Sequence, residues 1–190
     1  VGSEMCIRGR DKPNITVLLG NHEVMARDFL RRLTAEITDE NTASFDNDFL
    51  VELAIYKHNG GIPTINRLIA LPPDKQQRVL DFIDSLYAYE AIDIGVSTFV
   101  LVHAGLGNFR KDKKISEYSL YELLELRPDY ERQYFDDDSV YIVSGHTPTK
   151  LISGKWEIYH SHNNIVIDCG ATFGGRLACL RLEDMAEFYV

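Results

Sequence analysis

The apolar positions along the chain change period several times. Residues 15–20, ITVLLG, form a short β-branched and leucine run that stops at a glycine, which predicts a buried strand. From His22 to Leu33 the spacing becomes helical, with Val24, Met25, Phe29 and Leu33 on one stripe. Residues 45–61 predict a second helix ended by Gly60 and Gly61, and 64–71 a short third one stopped by Pro72 and Pro73. Residues 74–89 predict an amphipathic helix whose apolar face carries Val79, Leu80, Phe82, Ile83 and Leu86. The pattern then shifts to strands: 98–105 ends in His-Ala-Gly and 139–148 passes through Gly-His-Thr-Pro. Between them lie a charged loop, 106–117, and a short helix near 118–125. WEIYH, NIVIDCGA, RLACLRL and EFYV are closely spaced and predict an antiparallel C-terminal meander.

The 190 residues fit one domain, long enough to bury about 70% of the surface of the unfolded chain. The first ten residues, VGSEMCIRGR, carry no periodicity and are similar to translated adapter sequence. Residues 1–11 are therefore expected to be a non-native leader on a fragment whose natural start lies upstream. Residues 12–190 are expected to form a single domain, with 28–95 as a helical insertion between two core strands.

Net charge of −9 argues against a nucleic-acid partner, which needs a basic face. An anionic substrate stays possible, since a metal ion reverses the local potential. Three scattered cysteines make neither a disulfide framework nor a thiolate zinc site, so a cytoplasmic setting is expected. No apolar run is long enough to predict a membrane span.

Three strand ends share one chemistry: LLG-Asn21-His22, LV-His103-Ala-Gly and VSG-His146-Thr-Pro. Strand C-termini of an α/β sheet are where sites are built. Imidazole suits zinc, iron and manganese-type ions, and an Asn carbonyl oxygen is a neutral hard ligand. Any one such histidine is more simply a solvated strand-end residue. The ordered set GNHE, HAG, GHTP is what points to a divalent ion.

These motifs resemble the calcineurin-like metallophosphoesterases, in particular the bacterial members of the phosphoprotein (Ser/Thr) phosphatase branch. The C-terminal IDCGATFGGRLACLRLED is similar to the final strands of that family. The resemblance implies an α/β fold, a β-sandwich flanked by helices in four layers (α/β/β/α), here without its first βαβ segment. It implies two divalent metal ions, manganese foremost, with iron, zinc or cobalt as others. Asn21, His103 and His146 are implied as ligands of one ion, and His22 as the catalytic histidine that contacts phosphate and protonates the leaving oxygen. Arg127, in LLELRPDY, matches a phosphate-clamping arginine, a role suited to a planar bidentate guanidinium. It reads equally as a surface arginine before a proline turn.

Two motifs of that family, G-D-x-H and G-D-x-x-D-R-G, are missing from the chain. They supply both Asp ligands and the His of the other ion. At most one metal position is therefore expected here, with weak binding and little turnover. The expected activity is metal-dependent phosphoester hydrolysis, with a phosphoprotein or a small phosphoester as partner. Symmetrical dinucleoside-tetraphosphate hydrolysis is an alternative, because those enzymes share the three motifs. A non-catalytic protein that binds a partner is the other alternative.

Remaining candidates have plainer readings. His160 and His162 suit a hairpin loop, His58 a helix C-terminus, and 135–140 a solvated turn. Asn59 is a candidate substrate contact, Gly174 and Gly175 suit a turn, and Cys169 suits the core.

Overall fold

A computed structural model describes residues 14–36, 38–40 and 42–190. The expected leader, 1–11, lies outside the described residues. The chain divides after Leu86 into two compact units.

The first unit is helical: α1 (Asn21–Thr34), α2 (Asn47–His58), α3 (Ile62–Ile69) and α4 (Pro73–Asp84). Ala26, Phe29 and Leu30 sit at helical spacing on α1 and are fully or nearly fully buried. They join Phe49 and Tyr56 of α2, Ile65 and Leu68 of α3, and Leu80 and Ile83 of α4 in one core. The Phe29 and Tyr56 rings lie 4.8 Å apart. Arg31 pairs with Asp84 and Arg32 with Glu52, tying α1 to α4 and to α2. The Asp46 carboxylate accepts a hydrogen bond from the Phe49 N–H at 3.0 Å, which sets the start of α2 two residues later than the apolar pattern predicts. The chain leaves α2 through Gly60, whose φ of +84° is left-handed.

The strand expected at 15–20 does not form. Only Leu18 makes a β-bridge, and only Leu19 and Gly20 are buried. A buried parallel strand needs a ladder of backbone partners, and a single bridge does not supply one.

The second unit is built on a mixed five-stranded sheet of order β1-β2-β3-β5-β4. Its strands are β1 (Tyr89–Ile94), β2 (Ser97–Val102), β3 (Val140–Ser144), β4 (Tyr159–Ser161) and β5 (Asn164–Val166). β2, β3 and β5 run parallel, while β1 and β4 are antiparallel edge strands. Two short helices, α5 (Leu120–Leu124) and α6 (Thr149–Ser153), follow β2 and β3. A two-stranded ribbon, β6 (Ala178–Arg181) and β7 (Ala186–Tyr189), completes the unit.

Phe99, Val143 and Ile165 lie on one sheet face, in a core with Ile158 and Cys169. Ala178, Leu180 and Tyr189 of the ribbon pack against that core, so a second β layer covers this face. Val100, Val102 and Ile142 point the other way and are buried too. The architecture is mixed α/β as expected, and the second unit has the β-on-β layering of the expected sandwich.

Two expectations need correction. The helix predicted to reach Tyr89 ends at Asp84, and Tyr89–Ile94 is an edge strand inside the supposed helical insertion. It pairs with β2 through the two-residue turn Gly95-Val96, a tertiary constraint that overrides the helical spacing. The C-terminal strands are not one meander. β5 joins β3 in parallel within the main sheet, and only β6 and β7 form a separate hairpin.

Candidate functional site

Because β2, β3 and β5 are adjacent and parallel, their C-termini emerge at one edge of the sheet. His103 follows β2, His146 follows β3 by one glycine, and Asp168 follows β5 by one isoleucine. The Gly145 N–H donates to the His103 carbonyl at 2.8 Å, carrying the β2–β3 ladder one step past the strands. The Ile167 N–H donates to the Ser144 carbonyl at 2.8 Å and does the same between β3 and β5.

This register brings the two imidazoles together. His103 Nε2 lies 3.2 Å from His146 Nδ1, with ring centroids 5.0 Å apart and planes inclined at 63°. His146 takes a left-handed backbone, φ +63°, which costs a residue with a β-carbon on the order of 1 kcal/mol.

Two glycines fix what lies beside the pair. At Gly105, φ is +123° and a β-carbon would meet Pro128 Cγ at 2.6 Å. At Gly107 a β-carbon would meet Leu126 Cβ at 2.6 Å. The backbone after His103 thus runs directly against residues 126 and 128, and Arg127 lies between them. Gly105 of the HAG motif is needed for this close approach. Arg127 is exposed, and no acidic side chain pairs with it among the described residues. Burial, and then the positive charge of Arg127, push the His146 pKa below its usual value. The backbone of Glu125 and the carboxylates of Asp168 and Glu125 act in the opposite direction. A neutral imidazole is the form that binds metal.

In the first unit, Asn21 and His22 occupy the first turn of α1, Asn21 partly buried and His22 exposed. The Glu23 carboxylate accepts from the Gly20 N–H at 3.1 Å, so the glutamate of GNHE caps this helix. The structure thus gathers His103, His146 and Arg127 in the second unit, and holds Asn21 beside His22 in the first.

Asp168, whose charge acts on His146 from the end of β5, was not singled out in the sequence. Its signal was available, since VIDCG repeats the pattern of an apolar run ending in a polar residue and glycine. Its carboxylate accepts from the Gly170 N–H at 3.0 Å, and its carbonyl from the Thr149 N–H at 2.8 Å.

The other candidates have structural partners. His162 sits in the β4–β5 turn with φ +49°, and His160 lies on β4 with its ring 2.7 Å from a Glu187 oxygen. His58 ends α2, and the Asn59 side-chain amide donates to the Ile55 carbonyl at 2.8 Å. Asp137 caps Ser139 within the acidic turn. Cys169 is buried in the core, and Gly174 makes a left-handed turn at φ +78°.

Among the described residues, no group of three or more His, Cys, Asp or Glu side chains is gathered to hold a metal. The His103–His146 pair fits two of an ion's ligands. Two imidazole nitrogens on one ion at about 2.0–2.1 Å, at angles of 90–110°, stand roughly 2.9–3.4 Å apart, and the observed separation is 3.2 Å.

No family model matches the chain. Similarity to known proteins is nonetheless consistent across bacilli. The chain is 30% identical over 138 residues to proteins named bis(5′-nucleosyl)-tetraphosphatase PrpE [asymmetrical] from Bacillus thuringiensis (strain Al Hakam), Bacillus cereus (strain AH820) and Bacillus anthracis (strain CDC 684 / NRRL 3495). The match covers 64% of this chain and 52% of each relative. The similarity supports the calcineurin-like metallophosphoesterase superfamily. It does not support the Ser/Thr phosphatase branch. The chain spans about half the length of the curated relatives it matches.

Proposed function

We propose that the strand-end site takes part in metal-dependent hydrolysis of a small phosphoester. The substrate class would be a dinucleoside tetraphosphate, cut unequally. The observation that carries this reading is the His103–His146 nitrogen pair, 3.2 Å apart at the ends of two parallel strands, with Arg127 at its side. The relatives' name supports the substrate class. A phosphoprotein substrate, the first expectation from the motifs, draws no support from it, and neither does symmetrical cleavage.

In this reading His103 and His146 would be ligands of a divalent ion, manganese being the first candidate. Such an ion, when bound, supplies Lewis acidity at a phosphoryl oxygen and lowers the pKa of a bound water. Arg127 orients the polyphosphate through two parallel N–H bonds. His146 stays neutral because burial and the Arg127 charge disfavour its protonated form. For His22, on the first turn of α1, the role proposed is the one the GNHE motif resemblance implies, that of proton donor to a leaving oxygen. The helix N-terminus behind it favours negative charge.

Product analysis after incubation with diadenosine tetraphosphate and Mn²⁺ tests the reading. Unequal cleavage yields one nucleoside triphosphate and one monophosphate, whereas symmetrical cleavage yields two diphosphates. The expected result is slow Mn²⁺-dependent formation of the unequal pair, reduced to background in His146→Ala. Equal products would overturn the substrate assignment. No cleavage above the His146→Ala background would overturn the hydrolytic reading.

A further inference from the structure

We propose that Tyr130 is a positioning residue for His146, acting through the hydroxyl of Thr147. The inference rests on the reading of His103 and His146 as metal ligands given above.

His146 needs something to hold it. Its left-handed φ of +63° is one that residues with a β-carbon rarely adopt. On its N-terminal side, the Gly145 N–H is anchored to the His103 carbonyl at 2.8 Å. On its C-terminal side, the Thr147 N–H reaches back to the Gly145 carbonyl at 2.6 Å and closes a tight turn around His146. The side chain of Thr147 faces inward and is 3% exposed. Its hydroxyl oxygen accepts from the Tyr130 hydroxyl at 2.8 Å, and Tyr130 is itself 8% exposed.

Tyr130 belongs to the same segment as Arg127. That segment is pinned by the Tyr134 hydroxyl and the Arg132 N–H, which donate to the Asp129 carbonyl at 2.9 and 3.2 Å. One buried hydrogen bond therefore connects the segment that carries the candidate phosphate arginine to the turn that carries the candidate ligand. Burial also raises the Tyr130 pKa, which keeps the phenol protonated and able to donate. Without the phenol, a buried threonine oxygen loses its donor and the turn loses a buried side-chain tie to this segment. His146 would then be free to relax from its left-handed backbone and turn its ring away from His103.

The test uses Tyr130→Phe, Thr147→Val and the conservative Thr147→Ser in the full chain. Two readouts are compared: the His103–His146 ring-proton NOE without metal, and the affinity for Mn²⁺ alone. The proposal expects Tyr130→Phe and Thr147→Val to lose the NOE and bind Mn²⁺ about tenfold more weakly. Thr147→Ser should keep both, and far-UV circular dichroism should be unchanged throughout. If Tyr130→Phe does not fold, Thr147→Val decides. Retention of the NOE and of Mn²⁺ affinity in the foldable variants would overturn the proposal. His103→Ala and His146→Ala separate the two readings. If neither alters Mn²⁺ binding by the native protein, the ligand reading fails, and the metal-free NOE alone then decides the role of Tyr130.

Discussion

His146 concentrates most of the local physics of the site. Its backbone is left-handed, its ring meets His103, and its pKa is lowered first by burial and then by Arg127. Removing that charge with Arg127→Gln should raise the His146 pKa, and an NMR titration of its ring protons without metal reads the change directly. Because the folded pKa lies below the usual value of about 6.5, the unfolded chain binds the proton more readily. The contribution of His146 to stability is therefore complete at neutral pH and falls as pH drops through about 6.5 toward the folded value. Arg127→Gln should narrow that window. In the hydrolytic reading, Arg127→Ala should also lower kcat/KM by about 10–100-fold, the scale of one or two charge-assisted hydrogen bonds. Arg127→Lys should recover only part of it, since an ammonium cannot make the bidentate pair.

Gly105 shows what is legible one residue at a time. The sequence pattern of HAG gives its histidine a role and its glycine none. The positive φ and the 2.6 Å approach to Pro128 supply one, since the loop can reach the Arg127 segment only with no β-carbon there. Gly105→Ala should lower the melting temperature, combining left-handed strain of about 1–3 kcal/mol with a clash against a proline ring. An unchanged melting temperature would contradict that account.

At the scale of elements, the helices of the first unit were legible because 3.6-residue periodicity coincides with their buried faces. Their ends were less so, since capping by Asp46 is a side-chain hydrogen bond and the stop after Asp84 is set by the strand that comes next in the chain. β1 was missed because its alternation of Tyr89, Glu90, Ala91, Ile92 and Asp93 is that of a half-exposed edge strand coming directly after a helix. The pairing of β5 was not legible because short apolar runs carry no information on parallel partners. α5 illustrates a testable anchor. Ser119 and Glu122 form a capping box, and Lys113 from the preceding loop lies 2.8 Å from Glu122. Lys113 first, then Ser119, hold the Glu122 pKa down to about 2. The stability this network adds is present above the usual carboxylate range and lost as pH falls through about 2. Glu122→Gln should therefore lower the melting temperature at neutral pH, and the difference should vanish near pH 2. A difference that persists in acid would contradict the assignment.

For the molecule as a whole, composition and charge excluded classes, but the ordered strand-end motifs carried the functional reading. His103 and His146 converge because parallel strands deliver their ends to one edge, and Arg127 joins them because the backbone at Gly105 and Gly107 runs directly against residues 126 and 128. Topology of that kind cannot be read from spacing. The Tyr130–Thr147 hydrogen bond depends on the same kind of long-range convergence and was not legible either. None of the described helices is long and apolar enough to cross a membrane. The substrate class proposed above rests on the relatives' name and not on a feature of the described residues.

The central claim is that His103 and His146 hold a divalent ion. Crystals of the protein grown with Mn²⁺, measured at the manganese absorption edge, test it most directly. The account predicts an anomalous peak within coordination distance of both His103 Nε2 and His146 Nδ1. Full manganese occupancy elsewhere with none between these nitrogens, or no anomalous peak at saturating Mn²⁺, would contradict it.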